Sequence, residues 1–356
     1  MSSPRDFSSP AIRRDWSRDL LALRAGDETR WNELVRELFA WQFQRVPAFR
    51  RLCEAHRVTP STFTTWRDLP AVPQQLFKHV ELFAHPGQTP AAIYETSGTT
   101  TGQPGRQCLL STDIYQAVSV DGARRAGLFK AEMPLHFLTP SATETPHSSL
   151  SAMFDGWRKA CHQPASSFWM RKGKIDFARL RAALSAAAKP LGLCGTAFSF
   201  VHLLDAWTDL PPLRLPRGSW LLETGGFKGR SREIAKPDLY AQLARMFSVS
   251  DSAIWNEYGM SELSSQAYAH STSGLHETPP WARVLVCDPA TGREVPVGQS
   301  GLVRWIDLAN VDSILALQTL DLAERTPKGF RLQGRLPRTE PRGCSLGAED
   351  MALNAA

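Results

Sequence analysis

Apolar positions near the start of the chain recur at helical spacing. Trp31, Leu34 and Leu38 fall on one face of a helix, and this pattern predicts helices over residues 15–56 with a break at Pro47. A proline-rich turn over residues 68–73 follows and leads into a short apolar segment. The first part of the chain, residues 1–68, is therefore predicted to be a helical region.

Further along, short apolar runs alternate with amphipathic stretches. The runs predict strands at residues 91–94, 135–138, 191–194, 219–223 and 253–256. The stretches predict helices at residues 114–129, 175–188, 201–208 and 231–247. Ser111-Thr112-Asp113 is a good N-cap for the first of these helices, so the order strand, loop, helix is predicted around residues 91–129. Such alternation predicts an α/β core with a parallel sheet over residues 69–281.

From residue 282 onward the pattern changes to short β segments separated by turns. A strand is predicted at residues 282–287, and turn residues recur at 289–292, 297–298 and 328–329. This predicts an antiparallel, β-rich subdomain over residues 282–340, followed by a short C-terminal tail at residues 341–356.

Composition and charge narrow the function classes. The chain of 356 residues is 42% hydrophobic and 21% charged, as is ordinary for a soluble globular protein. Its formal charge of +6 is spread over 41 basic and 35 acidic residues, without the basic block typical of nucleic-acid binding. A nucleic-acid partner is not expected, and the oligomeric state stays open.

Targeting and redox signals point to the cytoplasm. Residues 1–16 contain charges and prolines but no apolar core, so no signal peptide is expected. The most apolar stretch, residues 191–207, is too short and too polar for a membrane span. The six cysteines form no C-x-x-C pair and fit reduced thiols: Cys53, Cys108, Cys161, Cys194, Cys287 and Cys344.

One loop has a composition that suits phosphate binding. Hydroxyl side chains and glycines are concentrated in Thr96, Ser97, Gly98, Thr99, Thr100, Thr101 and Gly102, and Arg106 follows. Glycines let the backbone approach closely, while N–H groups and hydroxyls donate to phosphate oxygens. The segment does not fit a Walker A loop. Taken alone, it fits a phosphate-binding loop and a polar linker equally well.

Three further motifs follow in a fixed order. They are Glu223-Thr224-Gly225-Gly226-Phe227-Lys228-Gly229-Arg230, Asn256-Glu257-Tyr258-Gly259-Met260-Ser261-Glu262, and Asp321 with the later pair Gly334-Arg335. In this order the four motifs resemble the adenylate-forming superfamily of acyl-CoA ligases, adenylation domains and luciferases. The resemblance extends from about residue 69 to residue 335.

Within that superfamily the chain looks most like the LuxE-like family, the acyl-protein synthetases of bacterial luminescence. The matching features are the glycine motif after Glu223, the segment Pro146-His147-Ser148-Ser149-Leu150-Ser151-Ala152-Met153, and the ending Pro341-Arg342-Gly343-Cys344-Ser345-Leu346. The resemblance implies the N-terminal-domain architecture of adenylate-forming enzymes, with layered α/β sheets and a small β subdomain but without the usual large C-terminal domain.

The resemblance also implies roles for individual residues. The loop from Thr96 to Gly102 would hold the β- and γ-phosphates of ATP. The adenine would be flanked by Gly225, Gly226 and Phe227. The adenine and α-phosphate would be bordered by Tyr258, Gly259, Met260 and Ser261. Glu262 would bind Mg²⁺, Asp321 would bond the ribose hydroxyls, and Arg335 would lie near the ribose or a phosphate.

Elementary chemistry supports such a site. Attack of a carboxylate on an α-phosphate brings two anions together and expels pyrophosphate, so the protein must supply donors and a cation where charge develops. Glu262, beside a glycine turn, is a suitable hard-oxygen ligand for Mg²⁺. The alternative is a solvated loop carboxylate, and for Asp321 it is an ordinary turn aspartate.

Four residues are candidates for the acid pocket. His147 would guard the carboxylate end of the pocket, or it is a loop residue beside a helix cap. By resemblance Gly195, Thr196 and Ala197 would line the acyl pocket, and plain core packing is an equal alternative.

Two further catalytic candidates come from the resemblance. It implies that Cys344 accepts the acyl group as a thioester, and Arg342 nearby would lower the pKa of its thiol. An inert buried thiol is the alternative. Larger members carry a catalytic lysine in a C-terminal domain; no lysine follows Lys328 here, and Lys228 is the candidate substitute.

The function implied is ATP-dependent activation of a carboxylic acid, with a fatty acid preferred, as an acyl-adenylate. The acyl group would pass to a thiol on Cys344 or on a partner such as a reductase, transferase or carrier protein. One alternative is a stand-alone ligase that loads coenzyme A or a carrier protein. Another is a catalytically degenerate subunit that only binds the acyl group.

Overall fold

The computed structural model describes residues 5–96, 103–129, 133–164, 167–225 and 234–336. The helices in these ranges are α1 (Pro10–Ala22), α2 (Glu28–Arg45), α3 (Pro47–Ala55), α4 (Asp113–Arg125), α5 (Ser149–Ala160), α6 (Phe177–Ser185), α7 (Ala197–Ala206) and α8 (Lys236–Phe247). The strands are β1 (Val72–Pro73), β2 (Ala92–Glu95), β3 (Arg106–Leu109), β4 (Leu135–Phe137), β5 (Met170–Arg171), β6 (Lys174–Ile175), β7 (Gly192–Thr196), β8 (Trp220–Thr224), β9 (Ile254–Tyr258), β10 (Ala267–His270), β11 (Leu275–His276), β12 (Ala282–Cys287), β13 (Ser300–Asp307), β14 (Ala316–Thr326) and β15 (Gly329–Arg335).

These elements fall into two compact units. The first unit comprises Met1–Val118, Met260–Ser265 and Glu277–Ala356, and the second comprises Ser119–Gly259 and Gln266–His276. The domain divisions placed after residues 68, 281 and 340 on sequence grounds stay predictions. In the described ranges no helix is both long enough and apolar enough to cross a membrane.

The second unit is built on a sheet with strand order β10-β9-β8-β7-β4. Strands β4, β7, β8 and β9 run parallel, and β10 is antiparallel to β9. Helices α6, α7 and α8 bury apolar side chains in one core with the sheet, among them Leu180, Phe200 and Leu243. The parallel α/β arrangement predicted from the alternating pattern is confirmed, and it brings the carboxyl ends of β8 and β9 side by side.

The first unit contains an antiparallel sheet in the order β15-β14-β13-β12, with β1 parallel to β14. Strand β12 has the bounds predicted from the sequence. Strands β12 and β13 approach so closely that a Cβ at Gly301 would overlap the backbone of Cys287. Helix α2 buries Trp31, Leu34 and Leu38, as the helical spacing predicts.

Two sequence predictions need correction. The order strand, loop, helix around the phosphate loop is wrong, because β3 lies between the loop and α4 and pairs antiparallel with β2. Helix α7 begins at Ala197 rather than at residue 201, because the Thr196 side chain caps it by accepting from the Ser199 amide.

Candidate active site

Thr96 and Gly105, on either side of the predicted phosphate loop, are joined by two hydrogen bonds. The Thr96 amide donates to the Gly105 carbonyl at 2.9 Å, and the Gly105 amide donates to Thr96 Oγ1 at 2.8 Å. A Cβ at Gly105 would lie 3.2 Å from Thr96 Oγ1 and 3.3 Å from the Phe77 Cβ, so little room exists there for a side chain. Thr96 is thus the neck of the loop. The predicted phosphate ligands Ser97, Gly98, Thr99, Thr100, Thr101 and Gly102 lie outside the described residues.

Glu262 lies in a turn in which the Leu263 amide donates to the Met260 carbonyl at 3.1 Å. The preceding residue ties this turn to the strand that enters the phosphate loop, since the Ser261 hydroxyl donates to the Glu95 carbonyl at 3.0 Å. The Glu262 side chain is only 3% exposed. The predicted metal ligand is therefore a buried carboxylate close in structure to the neck of the loop.

A glutamine connects Glu262 to the two residues predicted to contact the ribose. Gln74 donates from Nε2 to Glu262 Oε1 at 3.0 Å and accepts at Oε1 from Arg335 Nη2 at 3.0 Å. Asp321 and Arg335 are cross-strand neighbours, and their Oδ1 and Nε atoms are 3.7 Å apart. These four residues, Gln74, Glu262, Asp321 and Arg335, are called the Glu262 cluster below.

The electrostatics of the Glu262 cluster suit a divalent cation. Burial raises the pKa of Glu262, while the Gln74 hydrogen bond and the Arg335 charge act in the opposite direction. A cation beside the carboxylate would favour the charged form. Among the described residues no group of three or more His, Cys, Asp or Glu side chains forms a metal cage. Mg²⁺ is commonly held by one or two carboxylates together with substrate phosphates, so the donor set fits this ion.

In the second unit, the carboxyl ends of β8 and β9 carry two buried carboxylates. Glu223 is fully buried and accepts from Tyr240 Oη at 2.9 Å and from Asn256 Nδ2 at 2.6 Å. Lys236 Nζ lies 3.6 Å from Glu223 Oε2. On the neighbouring strand, Glu257 accepts a hydrogen bond from the Thr224 hydroxyl.

Burial governs the protonation of this group. It raises the pKa of Glu223, against the opposing effect of Lys236. It also raises the pKa of Glu257 to about 7, with a smaller contribution from the Glu223 charge. Asn256 Oδ1 lies 2.8 Å from His276 Nε2, and burial lowers the pKa of His276 to about 4. The other ring nitrogen, Nδ1, lies 3.2 Å from the Gly274 carbonyl oxygen, and Asn256 donates to Glu223.

Two glycines of the predicted adenine motifs have structural reasons to be glycine. Gly225 follows β8 with φ of 71°, a left-handed conformation. A Cβ at Gly259 would overlap Glu257 Oε1, so the Glu257 carboxylate lies directly against the Gly259 backbone. Tyr258 is the last residue of β9 and is buried. The predicted adenine neighbours Gly226 and Phe227, and Lys228, the candidate substitute for the catalytic lysine, lie outside the described residues.

The predicted acid-pocket residues have local structural roles. His147 is exposed in the turn before Ser148, the N-cap of α5. Gly195 packs against α7, because an added Cβ would lie 2.6 Å from Ser199 Oγ. Thr196 is the N-cap of that helix, and Ala197 is its first residue. Their contact with an acid stays a prediction. The predicted acyl acceptor Cys344 lies outside the described residues.

Several residues of these clusters were not predicted from the sequence. Gln74 lies 188 positions from Glu262 along the chain, so no local motif signals their contact. Lys236, Tyr240 and His276 converge on the β8–β9 ends from α8 and β11. A sequence signal at Glu223 and Glu257 is present, because each is a charged residue next to the last position of its strand.

Comparisons with known proteins agree on one family. The model of the family described as acyl-protein synthetase, LuxE, matches residues 19–350. Over 297 residues the chain is 23% identical to the long-chain-fatty-acid–luciferin-component ligase of Aliivibrio fischeri, covering 78% of this chain and 75% of that protein.

Solved structures show the same fold. The crystal structure of 2-hydroxyisobutyryl-CoA ligase in the postadenylation state with R3-HIB-AMP has a TM-score of 0.68 at 18% identity, covering 99% of this chain and 80% of that chain. Its open conformation with 2-HIB-AMP and CoA has a TM-score of 0.66 at 18% identity, covering 92% and 79%. The fold is thus the α/β fold of adenylate-forming ligases. Because the family match extends over most of its length, the chain belongs to the LuxE acyl-protein synthetases and is an adenylate-forming acid–thiol ligase.

Proposed function

We propose that the protein activates a fatty acid with ATP and Mg²⁺ and passes the acyl group to a thiol, on its own Cys344 or on a partner protein. In the first step a carboxylate oxygen bonds to the α-phosphorus, and the bond from that phosphorus to the bridging oxygen breaks to release pyrophosphate. In the second step a thiolate attacks the acyl carbon and AMP leaves. The thiol proton passes to solvent.

The observation that carries the proposal is the Glu262 cluster. Its buried carboxylate would hold the metal ion, and Gln74 would orient that carboxylate through its amide donor. When bound, Mg²⁺ would offset negative charge on the phosphate oxygens. Arg335 would add a positive charge near the phosphates, and Asp321 would accept hydrogen bonds from the ribose hydroxyls. Thr96, at the neck of the phosphate loop, would position the donors that follow it.

The substrate and the acceptor are proposed from a relative and from the sequence. The Aliivibrio fischeri relative is named for a long-chain fatty acid, and the match to it covers 78% of this chain. Arg342 comes two residues before Cys344 in the sequence, and a cation close to a thiol favours the reactive thiolate. A reductase, a transferase or a carrier protein would then take the acyl group. Loading of coenzyme A directly is the alternative outcome, since the 2-hydroxyisobutyryl-CoA ligase structure contains CoA.

Pyrophosphate release with a panel of fatty and aromatic acids tests the proposal. We expect acid-dependent release that requires Mg²⁺ and is strongest with a fatty acid. Glu262→Gln should lose most of this activity, whereas Glu277→Gln, at an exposed position, should retain it. Absence of acid-dependent pyrophosphate from the folded protein, or equal activity of the two variants, would contradict the proposal.

A further inference from the structure

A second buried carboxylate lies beneath the segment that carries Glu262. Asp307, the last residue of β13, is fully buried. Its Oδ2 accepts from the amides of Ser264 at 3.1 Å and Ser265 at 2.9 Å. Its Oδ1 accepts from the Ser265 hydroxyl at 2.7 Å and from the Ala309 amide at 2.9 Å. Three of these four hydrogen bonds therefore hold the backbone and side chain just after Glu262.

Asn310 holds the same segment from the other side. Its Nδ2 donates to the Glu262 carbonyl at 3.0 Å, and its Oδ1 accepts from the Ser264 hydroxyl at 3.1 Å. Gln107, from β3, fixes the amide by donating to the same Oδ1 at 2.5 Å. The backbone around Glu262 is thus hydrogen-bonded to the end of β13 and to the loop that follows it.

We propose that Asp307 is a positioning residue for the adenylation reaction, because its carboxylate fixes the Ser264–Ser265 backbone and so the place of the Glu262 side chain. This inference rests on the proposed role of Glu262 in holding Mg²⁺. Groups that orient a metal ligand commonly change metal affinity by about 10- to 100-fold when they are removed. A carboxylate that accepts four hydrogen bonds fits that role. An amide side chain in its place would direct its own N–H group at the N–H and O–H groups that now donate to Asp307.

Asp312, in the loop that follows β13, provides a matched control. Asp312 is also buried and also accepts four hydrogen bonds, from Arg13 twice, from the Leu110 amide, and through a contact with His85 Nε2 at 2.7 Å. None of these partners belongs to the Glu262 segment. Asp312→Asn therefore makes the same chemical change at a buried aspartate whose hydrogen-bond partners lie outside the Glu262 segment.

The test is direct binding of Mn²⁺, as a paramagnetic substitute for Mg²⁺, to the full chain with a non-hydrolysable ATP analogue, followed by electron paramagnetic resonance. Asp307→Asn is expected to weaken Mn²⁺ binding by about tenfold or more. Asp312→Asn is expected to bind Mn²⁺ within about twofold of wild type, even though it loses thermal stability. Unchanged binding by Asp307→Asn, or equal weakening in both variants, would overturn the inference.

Two further variants keep the outcomes separate. If Asp307→Asn does not fold, Ser265→Ala decides, because it removes one donor from Asp307 without changing a charge; weaker Mn²⁺ binding supports the inference and unchanged binding overturns it. Glu262→Gln tests the metal assignment itself. If Glu262→Gln leaves Mn²⁺ binding unchanged, the proposed metal role fails. If Glu262→Gln weakens Mn²⁺ binding but Asp307→Asn leaves it unchanged, the metal role stands and the positioning role fails.

Discussion

Replacing Glu257 by glutamine is expected to stabilise the folded protein, and to do so more strongly as the pH rises. The Glu257 carboxylate is buried at the end of β9, beside Glu223, and accepts from the Thr224 hydroxyl. Glutamine has the same shape and keeps an oxygen for Thr224, but it carries no charge. The variant therefore resembles the protonated form of the wild-type protein.

The magnitude follows from the pKa of the group. Burial raises the pKa of Glu257 from 4.5 to about 7. Between these values the folded protein keeps a proton that the unfolded chain has released, so the free energy of unfolding of wild type falls as the pH rises. This decrease in the free energy of unfolding is complete above the pKa that Glu257 has in the folded protein. It reaches about 3 kcal/mol, because each tenfold difference in proton affinity corresponds to about 1.4 kcal/mol. Glutamine does not titrate and shows no such fall.

Urea unfolding followed by tryptophan fluorescence, at about pH 5 and about pH 8, measures the effect. The stability advantage of Glu257→Gln over wild type should grow by about 2 to 3 kcal/mol between these pH values. His276, whose pKa is lowered by burial to about 4, contributes to both proteins and cancels in the difference. Glu54→Gln, at an exposed position in α3, should show no growing advantage. A difference that does not change with pH would refute the reasoning.

Three further predictions concern the two clusters and the acceptor. Gln74→Ala removes the donor to Glu262 and should raise the Mg²⁺ concentration for half-maximal pyrophosphate release by about tenfold. Gln88→Ala, at an exposed position, should leave this concentration unchanged, and equal responses of the two variants would contradict a role for the Gln74–Glu262 hydrogen bond. Gly259→Ala pushes a methyl group into Glu257 and should lower the free energy of unfolding by about 1 to 3 kcal/mol in urea titrations, whereas an unchanged value would contradict the close contact. Cys344→Ser should still form acyl-adenylate but lose covalent acyl labelling in mass spectra, and retained labelling would exclude this acceptor.

Much of the fold could be predicted because its elements carry clear periodic signals. The parallel strands of the second unit are short apolar runs between amphipathic helices, and β12 was located to the residue. The hairpin of β2 and β3 was missed because β3 has only four residues and follows a loop rich in glycine and threonine. The start of helix α7 is predicted too late because its cap, Thr196, is also the last residue of β7, so no turn separates the strand from the helix.

Some residues of the candidate site could be predicted from local motifs, and others could not. Glu262, Asp321 and Arg335 lie in recognisable local motifs, and the structure brings them together. Gln74 and Asp307 could not be predicted, because their roles depend on hydrogen bonds to residues that are distant in the sequence. Burial depth, which sets the pKa of Glu257 and Glu262, also depends on packing that no local pattern records.

The most direct test of the central claim follows the oxygen atoms of the acid. A fatty acid whose carboxylate oxygens are a heavy isotope is incubated with the protein, ATP, Mg²⁺ and hydroxylamine, which releases the acyl group whatever the natural acceptor. Attack of the carboxylate on the α-phosphorus predicts that AMP is produced and that it carries one heavy oxygen. Unlabelled AMP, or formation of ADP with heavy oxygen in inorganic phosphate, would contradict activation through an acyl-adenylate.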